Sequence, residues 1–187
     1  MASIASVTNR PIKVIISFVK NHQILVIAWL IVLLSLFLRL WQLGHLPHNL
    51  SLLEIDNLNK IGDLTYHGWA IPGHDIFTAI YFYSFGFWVK VFGFNIFFLK
   101  VLQAILGTLT VYVFYLFTKE WFNRQVALFS SLFLAVDAFH IAISREIEPI
   151  ILVPLVLVLM LYVITLAIKT GNFSWFAIGG VVCGTSL

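Results

Sequence analysis

The chain is poor in charge. Only 10% of its residues are Asp, Glu, Lys or Arg, where a soluble domain carries about 25%. So small a stock cannot cover an aqueous surface. With 61% of residues hydrophobic and a mean hydropathy of +1.00, the chain reads as an integral membrane protein. Cysteine is nearly absent too. The single Cys183 excludes an intrachain disulfide and a cysteine metal cluster. Alternating polar and apolar segments of about ten residues are missing, which removes a membrane β-barrel. The net charge of +3 is unremarkable, and no nucleic-acid partner is expected.

Runs of about 20 apolar residues are present instead, the length at which a helix crosses a bilayer. Spans are expected at about residues 23–40, 97–118, 126–139 and 147–168, with a fifth beginning at 173. Its fifteen residues to 187 rise about 22 Å against a hydrocarbon core of about 30 Å. Residues 1–187 are therefore expected to be the N-terminal part of one longer transmembrane domain. The fold class is all-α integral membrane: a multi-span helical bundle with amphipathic membrane-surface helices in its first extracytoplasmic loop.

Residues 1–22 hold Arg10, Lys13, Lys20 and His22 and no acid. A basic flank before the first span predicts a cytoplasmic N-terminus and a plasma (inner) membrane, multi-pass location. The first run is too long for a signal-peptide core and is expected to be a retained anchor. The stretch 12–19 is expected on the membrane surface. Arg39 and Trp41 are expected to close the span by snorkelling to the far interface. Lys119, Arg124 and Lys169 then also fall inside, and seven of the eight acids fall outside.

Two outer loops gather the chemistry. The first, PHNLSLLEIDNLNKIGDLTYHGWAIPGHD, holds Glu54, Asp56, Asp63 and Asp75 together with His48, His67 and His74; His45 lies just before it. Ser51 and Glu54 have the spacing of a helix-capping box. A surface helix is expected over about 53–66, with Glu54, Leu58 and Ile61 on one face and Asp56, Asn59, Lys60 and Asp63 on the other. A second, aromatic surface helix is expected over 76–94. The other loop, DAFHIAISREIEP, holds Asp137, His140, Arg145, Glu146 and Glu148. Both emerge on the same side and are expected to meet over the bundle. Together they offer a carboxylate base, an arginine for a phosphate and imidazoles for a metal. The histidines lack close ligand spacing, so no cofactor is assigned and a divalent cation stays an option.

This combination suits sugar transfer from a polyprenyl phosphate, which needs a base for the acceptor hydroxyl, a cation at the leaving phosphate and an apolar groove for the lipid. Four stretches also resemble the polyprenyl-phosphate-dependent glycosyltransferases of the GT-C superfamily, the clan of protein O-mannosyltransferases and the lipid A aminoarabinose transferase. They are LRLWQLGHLPHNLSLLE, YFYSFGFWVKVFG, LGTLTVYVFYLFTKEWFNRQVALFSSLFLAV and DAFHIAISREIEPIILVPLVLVLMLYVITLAIKTG, in family order across residues 24–187. The resemblance implies a polyprenyl-phosphate-linked sugar donor, a protein, lipid or glycan acceptor, and contact with membrane lipids. It places the catalytic aspartate at the position of Leu53, directly before Glu54.

Leucine accepts no proton, which leaves three readings. Glu54 serves as base, Asp56 serves after a small shift, or the chain is a non-catalytic lipid-binding or scaffold relative. Arg145, in the Ser-Arg pair of the second loop, is the expected contact of the lipid phosphate. Each residue also has a plainer role. Glu54 suits a helix cap, Asp56 and Lys60 an exposed ion pair, and Glu148 a charge at a helix start. A transporter or channel ranks last, because the ionisable residues cluster at span ends rather than mid-membrane.

Overall fold

A computed structural model describes residues 9–43, 50–66 and 76–184. Among them every regular element is helical: α1 (Asn9–Leu40), α2 (Leu52–Tyr66), α3 (Ile76–Phe92), α4 (Ile96–Trp121), α5 (Arg124–Val136), α6 (Ala138–Ile143), α7 (Leu152–Thr170) and α8 (Phe173–Gly184). A short 3-10 turn, Pro149–Ile151, leads into α7. The protein is an all-α membrane bundle. Three segments are long and apolar enough to cross a bilayer: Gln23–Leu40, Ile96–Trp121 and Pro149–Thr170. The third begins at Pro149, so Glu148 stands just outside it.

Local chemistry explains where the helices stop. α3 ends at Gly93, whose φ of 82° lies in the left-handed region that a side chain disfavours, and whose N–H donates to Val89 O at 2.8 Å. Two residues on, the Asn95 side chain accepts from Phe97 N at 2.9 Å and starts α4. Asn123 starts α5 in the same way, accepting from Val126 N at 2.9 Å. α7 ends at Gly171, with φ 60° and an N–H bonded to Ala167 O at 3.0 Å. Pro149 and Pro154 fall in first turns, where a missing N–H costs nothing.

Two expectations change. The N-terminal stretch is no separate surface segment, because residues 9–40 form one continuous helix. The apolar run 126–139 is interrupted: α5 stops at Asp137, whose carboxylate accepts from His140 N at 2.8 Å and starts α6. A capping aspartate offers the backbone a better partner than continued helix would.

α4 lies at the centre and packs against α1, α5 and α7. Its inward stripe includes Leu99, Gln103, Ala104, Gly107 and Val111. Small residues let the neighbouring backbones approach closely, as is common between membrane helices. The outer faces are apolar, with Trp29, Phe129, Phe133 and Ile168 all exposed. Lipid suits such a surface where water would not. α2 and α3 pair with each other at one end of the bundle, burying Leu58, Ile61 and Leu64 against Tyr81, Phe82 and Phe85. Gly86 permits that crossing, since a Cβ there would sit 2.8 Å from Leu64 Cδ2.

Candidate functional site

The end of the bundle capped by α2 and α3 is where the two loops meet. Ser51 and Glu54 form the expected capping box: Glu54 N donates to Ser51 Oγ, and Ser51 N donates to Glu54 Oε2, each at 3.1 Å. The Glu54 side chain does more than cap. Its Oε1 accepts from Ile147 N at 3.1 Å and lies 3.4 Å from Lys100 Nζ, and the residue is fully buried. One turn along α2, Asn57 Nδ2 donates to Ile147 O at 2.9 Å. Both backbone groups of Ile147 are thus bonded to α2. From α4, Gln103 Nε2 donates to Glu148 O at 2.8 Å, and Gln103 Oε1 accepts from the Tyr81 hydroxyl at 3.3 Å. Three helices, α2, α3 and α4, converge on residues 147 and 148, and the buried polar groups that meet there answer one another.

Asp56 is placed differently. It faces outward and pairs with Lys60 at 2.6 Å, with side-chain exposures of 59% and 35%. Leu53 is 64% exposed beside it. Arg145 donates from its Nη2 to the carbonyl of Trp41, and its buried Nε has no partner. Glu54 and Arg145 are therefore tied to the same second loop, and Asp56 is not. His45, His48, His67, His74 and Asp75 lie outside the described residues. Among the described residues no group of three or more His, Cys, Asp or Glu is arranged to hold a metal.

Arg39 overturns an expectation. It does not snorkel to an interface; it is fully buried. Its Nη1 donates to Ser35 O at 2.9 Å and to Ala135 O at 3.4 Å, and its Nη2 lies 2.7 Å from His140 Nδ1. The reason is helical phase. Ala28, Ile31, Ser35 and Arg39 recur every three or four residues and form the buried stripe of α1. A neutral His140 accepts at Nδ1 and carries its proton on Nε2. Burial, and then the Arg39 guanidinium, hold the imidazole down from 6.5 to about 4. Gly107 makes room for this cluster: a Cβ there would fall 2.5 Å from Ser144 Cβ and 2.9 Å from Arg39 Nε.

Lys100 and Gln103 do not stand out in the linear sequence as site residues. Both sit early in α4, and an ionisable residue inside an apolar helix is the signal that marks Lys100. Its partner on α2 becomes visible only when the loops fold over the bundle.

No curated protein and no solved structure matches the chain. The profile of the dolichyl-phosphate-mannose-protein mannosyltransferase family matches residues 78–187. That stretch runs from α3 to the end of the chain and contains Lys100, Gln103, Arg145 and Glu148, but not α2. Membrane-crossing helices, a polar loop fastened over one end of the bundle, and this match across more than half of the sequence agree: the chain belongs to the dolichyl-phosphate-mannose-protein mannosyltransferase family, a family of membrane glycosyltransferases of the GT-C type.

Proposed function

We propose that the protein transfers a sugar from a polyprenyl-phosphate donor to a protein, lipid or glycan acceptor at the extracytoplasmic face, with Arg145 holding the donor phosphate. The observation that carries the reading is the fastening of the Arg145 loop over the end of an apolar bundle, in a chain of this family. A lipid tail is suited to the lipid-facing helices, and its phosphate to the loop. Arg145 spends one Nη2 bond on Trp41 O, which orients the guanidinium; its Nε is buried, so an anion would meet the exposed Nη end of the group.

The two first-loop carboxylates are less free. Both oxygens of Glu54 are engaged, which suits a residue that positions the second loop. Asp56 already has a cation, on a face turned from Ile147. In the fold as it stands, both carboxylates are thus engaged by groups of the protein itself.

The test is transfer by the full chain, reconstituted in liposomes with a labelled polyprenyl-phosphate sugar. Arg145→Ala removes charge-assisted hydrogen bonds worth about 1.5–3 kcal/mol, so KM for the donor should rise roughly 10- to 100-fold. An unchanged donor KM refutes the role of Arg145. One observation favours a second reading, the exposed Leu53 at the position where the family resemblance expects a catalytic aspartate. A lipid-binding relative without catalysis predicts saturable donor binding and no transfer by the wild type.

A further inference from the structure

Transfer to a hydroxyl needs a proton acceptor that is held in place, reachable and not already bonded. Glu148 meets these conditions. Its main chain is anchored: N–H donates to Glu146 O at 3.0 Å, and C=O accepts from Gln103 Nε2 at 2.8 Å. It stands in extended geometry (φ −134°, ψ 141°) at the head of the Pro149–Ile151 turn, the place of a capping residue, yet its side chain makes no capping bond. Among the described residues its carboxylate has neither a hydrogen-bond nor an ion-pair partner. The residue is half-buried where α2, α3 and α4 converge, three positions beyond Arg145 on the same loop.

We infer that Glu148 is the catalytic base, taking the place left empty by Leu53; this deepens the proposed glycosyl transfer and rests on it. The acceptor O–H gives its proton to a Glu148 oxygen. The acceptor oxygen forms a bond to the anomeric carbon as the bond from that carbon to the phosphate oxygen breaks. The electron pair of the broken bond leaves with the polyprenyl phosphate beside Arg145. Glu148 then releases the proton to solvent.

The surroundings suit the task. Burial, and then the charges of Glu146 and Glu54, push the Glu148 carboxyl above its ordinary value, which makes it a stronger base than an exposed carboxylate. Tyr81 on α3 feels the same corner: behind burial, Glu148 and Glu54 push its phenol well above its usual value. Lys100, the cation facing this corner from α4, is committed to Glu54. Arg145 completes the charged groups of the loop.

The experiment compares the wild type with Glu148→Gln, Glu148→Asp and Glu146→Gln as full chains in liposomes, reading kcat, donor KM, the pH profile and the melting temperature. Glu148→Gln breaks no bond of the fold, so its melting temperature and donor KM should match the wild type. Its kcat should fall at least about 100-fold, the smaller end of general-base contributions. The acidic limb of the wild-type profile should lie above the ordinary carboxylate range and be absent from Glu148→Gln. Glu148→Asp should recover part of the rate, and Glu146→Gln should move the acidic limb back toward the ordinary carboxylate range. A Glu148→Gln enzyme with wild-type kcat and an unchanged acidic limb overturns the assignment of the base and leaves the transferase reading standing. A wild type that transfers no sugar overturns the transferase reading and the base with it.

Discussion

Replacing Lys100 with methionine isolates the ion pair that joins α4 to α2. The Glu54 carboxylate is fully buried and has one cationic partner among the described residues, Lys100 at 3.4 Å, itself with a side chain only 7% exposed. Methionine keeps most of the stem and removes the charge. Glu54 retains the Ser51 and Ile147 N–H bonds but loses the positive charge that offsets its desolvation. Breaking a buried pair by removing one member costs about 3–5 kcal/mol. Two retained hydrogen bonds to the carboxylate favour the lower end, about 3 kcal/mol. Adding Glu54→Gln removes the stranded charge, so the double variant should be more stable than Lys100→Met alone. The coupling should amount to about 2 kcal/mol, within the range of contacting pairs. SDS-unfolding midpoints in mixed micelles would supply the four corners of the cycle. Amide exchange at Ile147 supplies a local readout, because that N–H donates to Glu54. Additive variants, or a Lys100→Met cost below about 1 kcal/mol, as for an exposed pair, would refute the clamp.

Gly107→Ala should destabilise the bundle by about 1–3 kcal/mol, the usual cost of overpacking, because the new methyl collides with Ser144 and Arg39; a thermal melt in detergent checks it. His140 should make stability fall with acidity. Its folded value of about 4 lies below the ordinary 6.5, so the unfolded chain takes up a proton first as pH drops. The contribution is complete above about pH 6.5 and is lost as pH falls from there toward 4. Melting temperatures of wild type and His140→Asn should converge over that window, and a constant difference between them would contradict it.

Much of the site's frame is legible in the linear chain, and the reasons are local. The capping box at Ser51 and Glu54 is a spacing rule, and it forms. The faces of α2 follow from helical period: Glu54, Leu58 and Ile61 are buried while Asp56, Asn59 and Asp63 face out. The exposed Asp56–Lys60 pair follows from the i,i+4 rule. Arg39 shows where reading by position fails. A cation at the end of an apolar run suggests an interface, but the phase of Ala28, Ile31 and Ser35 turns it inward, onto Ala135 and His140. Glu148 is legible only in part. A glutamate before a proline suggests a helix-start charge, and Glu148 does stand at the head of the Pro149–Ile151 turn, but that its side chain makes no capping bond is not legible in the sequence.

By itself the sequence determined that this is an all-helical membrane protein, where several helices begin and end, and which faces of α2 turn inward. Those properties depend on hydropathy, side-chain period and capping chemistry within a few residues of the chain. Only the tertiary structure decided that Glu54 is locked between Ser51, Ile147 and Lys100, that Arg39 is buried against His140, and that the Glu148 carboxylate is left without a partner among the described residues. The availability of a carboxylate depends on which groups from distant segments reach it first. For Glu54 those segments lie 46 and 93 positions along the chain, at Lys100 and Ile147, and no local pattern encodes a meeting at that separation.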